Sequence, residues 1–317
     1  MDRDSPVSTG TLAAPHRTYD YELVLVAYHS RPLVEALLAT LPAELPVVII
    51  DNCHGADGLG EITHARLATR YVDGPGRGYP TGANLGARSS TYDRVIFVNP
   101  DSSPSLAQLD SLVAELDRDP RLGVVCATTI LPDGKVEIGT GGWEPSVRRA
   151  LVHAVGAHKL FPTAGLWARP VPGRPIDLDW LGGACMAVPR QLFCDLGGFD
   201  ESYFVYSEDV DFGRRVREAG LRQLLRTDLL VPHLGGGSGD DKVRMLQLRG
   251  ASMMQYVRHH NGATAVHGIR LALTAGYVGR YGLCRLLGQR AQAREHAAYM
   301  RGLWVGAGHD LTRSTGR

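Results

Sequence analysis

Three acidic side chains, Glu208, Asp209 and Asp211, crowd one short turn inside the stretch YFVYSEDVDFGRRVREAG (203–220), and Glu201 stands just ahead of it. Carboxylates this close repel one another unless paired, which raises their proton affinity. Such a cluster fits a helix start, a site handling cations and protons, or both. Ser207 reads as an N-cap, with Glu208 and Asp209 in a first turn where the helix dipole favours negative charge. Phe212, Val216 and Ala219 follow at helical spacing, and Gly220 closes the element. Two more acids follow apolar runs directly: Asp51 after PVVII and Asp101 after RVIFVNP. A carboxylate at Asp101 is suited to hold Mg²⁺ or Mn²⁺ against a diphosphate, with Asn99 offering a neutral oxygen beside it. Asp51 either accepts a hydrogen bond from a base imide or ribose hydroxyl, or caps the next turn.

These groups need elements to carry them. YELVLVAYHS (21–30), PVVIIDN (46–52), RVIFV (94–98) and GVVCATTI (123–130) have the pattern of buried parallel strands, rich in branched residues. Pro32 starts a helix whose apolar face is Leu33, Leu37, Leu38 and Leu41, so the first two strands form a βαβ unit. Ligands of open α/β sheets sit at the carboxyl ends of the strands, which puts Ala27, Tyr28, Ser30, Asp51 and Asn52 on one edge of a cleft. GPGRGYPTGANLG (74–86) offers backbone N–H groups and Arg77 ahead of a helix carrying Gly82 and Asn84; it is neither GxGxxG nor a P-loop, and an ordinary turn fits it too. From 131 to 175 the alternation fails in a Gly-, Pro- and Arg-rich insertion, read as a lid or acceptor loop, with His153 and His158 as surface histidines. DWLGGA (179–184) brings Trp180, a core residue or a platform for a sugar ring, and Gly182 and Gly183, which allow close backbone approach.

Charge is unevenly spread. Residues 244–317 carry eleven Arg, no Lys and two acids, a surplus of +9 in a chain of net +1, leaving −8 for residues 1–243. A basic tail on an acidic body suits an anionic membrane surface or polyanion, or is a solvated helix face; no nucleic acid partner is expected. The amphipathic pattern from Arg270 to Arg290 either rests on lipid head groups or packs on the body. Five cysteines without CxxC pairing favour a reducing compartment and argue against a zinc site. Residues 1–19 read as a disordered tail without a signal-peptide core, and no run reaches the roughly 20 apolar residues of a membrane span. The expected location is the cytoplasm, with peripheral contact at the inner face of the cell membrane.

In order along the chain, LVAYHS, VVIIDN, GYPTGANLG, VIFVNPD, DWLGGA, GGFDESYFVYSEDVDFGRRVREAG and PHLGGGS resemble the inverting glycosyltransferase family 2, in its rhamnosyltransferase-like branch. The resemblance covers about two thirds of the chain, Tyr21 to Ser238. It implies an α/β GT-A fold: a Rossmann-like mixed central sheet flanked by helices, with a nucleotide-binding half (20–130), an acceptor half (131–243) and a basic helical C-terminal extension (244–317). It implies Asp209 as general base, Asp101 as metal and diphosphate ligand in the place of a DxD motif whose first acid is Asn99 here, and His233 near the metal. Ala27, Tyr28, Ser30, Asp51, Asn52, Arg77, Gly82, Asn84 and Asn99 then fall to the donor, and Trp180, Gly182, Gly183 and Glu208 to the acceptor. The implied partners are a dTDP- or UDP-linked sugar, Mg²⁺ or Mn²⁺, a glycan or lipid-linked acceptor of cell-wall or polysaccharide synthesis, and a second copy in a homodimer. Two other readings remain, a non-catalytic nucleotide-sugar-binding protein of the same fold and a transferase of a UDP-hexose. A Rossmann dehydrogenase is disfavoured because no GxGxxG follows the first strand.

Overall fold

The computed structural model describes residues 18–235 and 242–305. The tail assigned to 1–19 therefore lies almost wholly outside the described residues, as does most of the GGGS run after His233.

The first half alternates as the apolar runs require: β1 (Tyr21–Ala27), α1 (Arg31–Ala39), β2 (Val47–Asp51), β3 (Thr69–Asp73), α2 (Tyr79–Ser89), β4 (Arg94–Val98), α3 (Leu106–Arg118) and β5 (Leu122–Ile130). The stretch 131–175 contains a two-residue strand, β6 (Gly141–Gly142), and α4 (Val147–Ala154). Then come β7 (Ile176–Asp177), β8 (Trp180–Leu181), β9 (Cys185–Pro189), α5 (Arg190–Asp195), α6 (Glu208–Glu218) and β10 (Arg222–Pro232). Three helices close the described chain: α7 (Lys242–His260), α8 (Ala263–Leu286) and α9 (Arg290–Trp304).

Eight strands form one sheet in the order β3-β2-β1-β4-β9-β5-β10-β7, and β6 pairs with β8 in a small second sheet. β3, β2, β1 and β4 run parallel, as does β10 beside β5. β9 runs antiparallel to both of its neighbours, β4 and β5. Side chains alternate across the pleat: Leu23 and Leu25 of β1 pack under α1 and α3, while Val24 faces the opposite core.

That opposite core holds four phenylalanines in mutual contact. Phe97 lies 5.0 Å from Phe193 and 5.4 Å from Phe199, and Phe212 lies 5.0 Å from Phe193 and 5.5 Å from Phe199. Each buried ring contributes about 1.5–3 kcal/mol by leaving water. Phe97 is two residues before Asn99 and Phe212 three after Asp209, so one rigid cluster fixes the roots of both acidic turns. A third core joins α7, α8 and α9 to the body: Met253, Met254, Tyr256 and Val257 pack with Trp180, Tyr203 and Val210. Of the two readings of the C-terminal extension, packing on the body describes these helices.

Candidate active site

α6 begins where the acidic pattern placed it, but not by the expected cap. Ser207 holds the N-cap position with φ 69° and makes no side-chain capping bond. Tyr206 before it also has positive φ, 67°. Two consecutive non-glycine residues in the left-handed region are a strained arrangement that surrounding packing must enforce. α7 does so: Ser252 donates to the Val205 carbonyl at 2.8 Å, and Gln255 donates to the Ser202 carbonyl at 3.2 Å. The helix end follows the sequence more closely. Gly220 has φ 78° and its N–H bonds the Arg217 carbonyl, while Leu221 N–H reaches Val216, the pair of bonds of a Schellman cap.

The three acids of this turn have separate fates. Asp211 is buried and paired, with Arg215 at 2.8 Å and His260 Nε2 at 2.8 Å. Glu208 is buried, its Oε2 without a partner, and burial together with the charge of Asp209 raises it well above the usual carboxylate range. Its proton is therefore held more tightly than that of an ordinary carboxylic acid. Asp209 accepts from Val210 N–H at 2.8 Å through Oδ1. Burial raises it to about 6 while that bond and Arg249 hold it down. Its Oδ2 faces the Gly182 turn, where an added Cβ would stand 3.7 Å away. The Tyr79 hydroxyl is near by: burial and the charges of Glu208 and Asp209 raise its pKa, and a Cβ on Gly183 would approach it to 2.9 Å.

Asp101 sits on the turn after β4, and that turn is tied to the glycine turn, Asn99 N–H bonding Ala184 O at 3.1 Å. His233, just past β10, places Nε2 3.2 Å from Asp101 Oδ1 and Nδ1 2.7 Å from Glu137 Oε2. Burial works against a charge on this ring, but the two carboxylates outweigh it and lift it to about 10. A nearly buried carboxylate beside an imidazole whose far nitrogen is held by a second carboxylate is a donor set suited to a divalent cation. Burial raises the pKa of the Tyr206 hydroxyl, as do the charges of Glu208, Glu137 and Asp101, while Arg249 lowers it.

On the donor edge the structure spends several expected contacts on itself. The Asp51 carboxylate accepts Cys53 N–H and S–H through Oδ1 and Gly55 N–H and the Tyr71 hydroxyl through Oδ2. Burial opposes its ionisation, yet these four bonds prevail and lower its pKa, so turn capping describes it. Asn52 donates to Gly78 O at 2.9 Å and accepts from Gly76 N–H at 3.3 Å, bracing the glycine loop. The first N–H of the helix after that loop is already taken. Tyr79 N–H is bonded to Phe204 O at 2.9 Å, and a Cβ on Gly78, φ 98°, would collide with the same carbonyl. Gly82 packs on Val26 and Asn52, and fully buried Asn84 bonds the Phe199 backbone in both directions; both are packing residues. Ala27 and Ser30 are buried, Ser30 Oγ accepting from Tyr28 N–H. Tyr28 remains half-open and Arg77 exposed.

On the acceptor side, Trp180 is 4% exposed and donates its indole N–H to Trp143 O, so it is core and no platform. The histidines of the insertion are not surface groups either. His158 is buried and stacks on His153 at 4.5 Å, and burial with nearby cations drives His153 down to about 3. Two residues that no motif marked join the site: Glu137 from the insertion, and Arg249 from α7, stacked 5.6 Å from the Tyr206 ring.

Several known glycosyltransferases resemble this chain in sequence or in architecture. The family model Glycosyl transferase family 2 matches residues 23–169. N-acetylglucosaminyl-diphospho-decaprenol L-rhamnosyltransferase of Mycobacterium tuberculosis is 34% identical over 225 residues, 62% of this chain and 70% of that protein. The mannosyltransferase PcManGT from Pyrobaculum calidifontis, solved with GDP-Man and Mn²⁺, superposes with a TM-score of 0.56 at 18% identity, covering 90% of this chain and 86% of that one. GalNAc-T7, solved with UDP, GalNAc and Mn²⁺, superposes at 0.51 with 16% identity over 74% of this chain and 47% of that one. The mixed sheet with its flanking helices is the GT-A fold of these enzymes, and the chain belongs to glycosyltransferase family 2.

Proposed function

We propose that this glycosyltransferase moves L-rhamnose from dTDP-rhamnose, with inversion, onto a hydroxyl of a lipid-linked or other glycan acceptor. The observation that carries the reading is Asp209, a carboxylate raised to about 6 at the start of α6, facing the Gly182 turn. It is ionised at neutral pH, yet basic enough to take a proton. The acceptor hydroxyl gives its proton to Asp209 as its oxygen bonds the anomeric carbon, and the bond from that carbon to the diphosphate breaks on the opposite face. Asp101 and His233, with Asn99, would hold Mg²⁺ or Mn²⁺, which would neutralise charge on the departing diphosphate. Because the His233 ring must surrender its Nε2 proton to act as a ligand, metal affinity should increase with pH. Tyr28 and Arg77 reach toward the nucleotide, while Ala27, Ser30, Asp51 and Asn52 shape its strand ends. The donor and acceptor assignment draws on the mycobacterial relative.

The test is a donor panel of dTDP-rhamnose and UDP-hexoses with product anomers read by NMR, run on wild type and Asp209→Asn. Expected are rhamnose transfer with inverted configuration and a loss of about 10²–10⁴-fold in the variant. Equal transfer by both proteins would remove Asp209 as base, and turnover of a UDP-hexose alone would replace the donor.

A further inference from the structure

Behind the acceptor side, between the insertion and the C-terminal helices, lies a cavity of about 220 Å³ lined by Ile138, His153, His158, Trp167, Arg169, Leu246, Arg249, Tyr277 and Tyr299. Its walls are aromatic and cationic, and no acidic residue lines it among the described residues. Arg280 backs it, donating from Nη2 to His153 O at 2.6 Å. Three nitrogens here are out of water and unpartnered: His158 Nδ1, Arg169 Nε and Arg280 Nη1. Leaving a buried donor unsatisfied costs about 1–3 kcal/mol, more for a charged group, and guanidinium forks match phosphate oxygens. Surplus cations around an open cavity that no described acid lines suit an anion.

The same elements that line the cavity expose apolar side chains. α4 and the turn after it, which carry His153 and His158, expose Leu151, Val155, Leu160 and Phe161 at 51%, 78%, 80% and 63%. α8, which carries Tyr277, exposes Leu271, Val278 and Leu283 at 57%, 53% and 56%. The elements that wall the cavity thus also carry exposed apolar side chains on which a hydrocarbon chain can lie. Arg249 links the cavity to the α6 turn, since it lines the cavity and stacks 5.6 Å from the ring of Tyr206, the residue before the N-cap of the helix that carries Asp209. The geometry points to a diphosphate-binding pocket, built on Arg169 and Arg249 and floored by Arg280 and His158, that holds the diphosphate of a lipid-borne acceptor while its sugar reaches Asp209. This deepens the proposed function and rests on it for the sugar.

The probe is inorganic pyrophosphate, titrated calorimetrically into the full chain with EDTA present so that cation-dependent binding at Asp101 is silent. Binding is expected in wild type and in Asp101→Asn, at least tenfold weaker in Arg169→Gln, and partly restored in Arg169→Lys. No binding by wild type, or wild-type affinity in a folded Arg169→Gln, overturns the site. In flotation, phosphatidylcholine vesicles doped with polyprenyl diphosphate should carry wild type but not Arg169→Gln. Vesicles with phosphatidic acid should carry much less. Pyrophosphate binding without capture by the polyprenyl vesicles, or equal capture by both anionic vesicles, overturns the lipid-borne source. Loss of rhamnose transfer with pyrophosphate binding intact counts against the proposed function and leaves this pocket standing.

Discussion

As the proposed base, Asp209 must be charged to accept a proton, and its raised pKa gives that requirement a pH signature. Transfer, measured as kcat/KM, should fall about tenfold per pH unit below pH 6 and level off above it. The same shift has a cost in stability. The folded-state pKa of about 6 stands above the ordinary 3.8, so the fold holds this proton more tightly than the unfolded chain does. The resulting stabilisation is complete below pH 4 and lost as pH rises through 6. Urea midpoints at pH 4 and pH 7 should therefore draw together in Asp209→Asn. Asp101 carries a different dependence: EDTA should suppress transfer and Mn²⁺ or Mg²⁺ restore it, whereas Asp101→Asn should stay low with either ion. The division of labour among the acids was only partly legible in sequence. ED followed by D announces a cluster, and the arginines at 214–217 announce a partner for Asp211, which Arg215 supplies at 2.8 Å; its second partner, His260, lies 49 residues away and gave no signal.

At the scale of elements, the site is held by packing that straddles the sheet ends. Phe199→Ala removes one ring of the four-phenylalanine cluster and should cost about 3–5 kcal/mol, read as a lower urea midpoint. Arg215→Ala leaves Asp211 buried with a single partner and should cost about 3 kcal/mol; a Tm equal to wild type would show that His260 suffices. The parallel strands were readable because branched apolar runs ending in Asp or Asn mark buried strands and their carboxyl ends. Trp180, Asn84 and Gly82 were harder, since residue type cannot say whether a flat ring or an amide faces a ligand or the interior. Only the contact partners decide: Trp143 O for the indole, Phe199 for the amide. Arg249 and Glu137 gave no signal, one lying in an arginine-rich helix and the other in a stretch without periodicity.

For the whole molecule, the C-terminal helices are part of the catalytic body. α7 braces the strained Tyr206–Ser207 backbone and supplies Arg249, so a chain ending at residue 241 should lose transfer and expose the core around Trp180, Tyr203 and Val210. Poor solubility of the truncated chain and its failure to regain activity on adding dTDP-rhamnose and Mn²⁺ would be the readout. The charge asymmetry of the sequence is thereby given a location, with Arg249 and Arg280 turned toward the body. No described helix is long and apolar enough to cross a membrane.

The placement of β9 bears on how such a protein can be recombined. The strand belongs to the second half of the chain, yet it lies between β4 and β5 of the first, antiparallel to both. A chimera spliced at residue 130, exchanging an acceptor half from a relative, would import the central strand of the recipient's own sheet. The graft must then match Arg94–Val98 along its whole register as well as the new sugar. Shuffling confined to 131–175 leaves that seam intact, so the insertion between β5 and β7 can be exchanged without disturbing the pairing of β9.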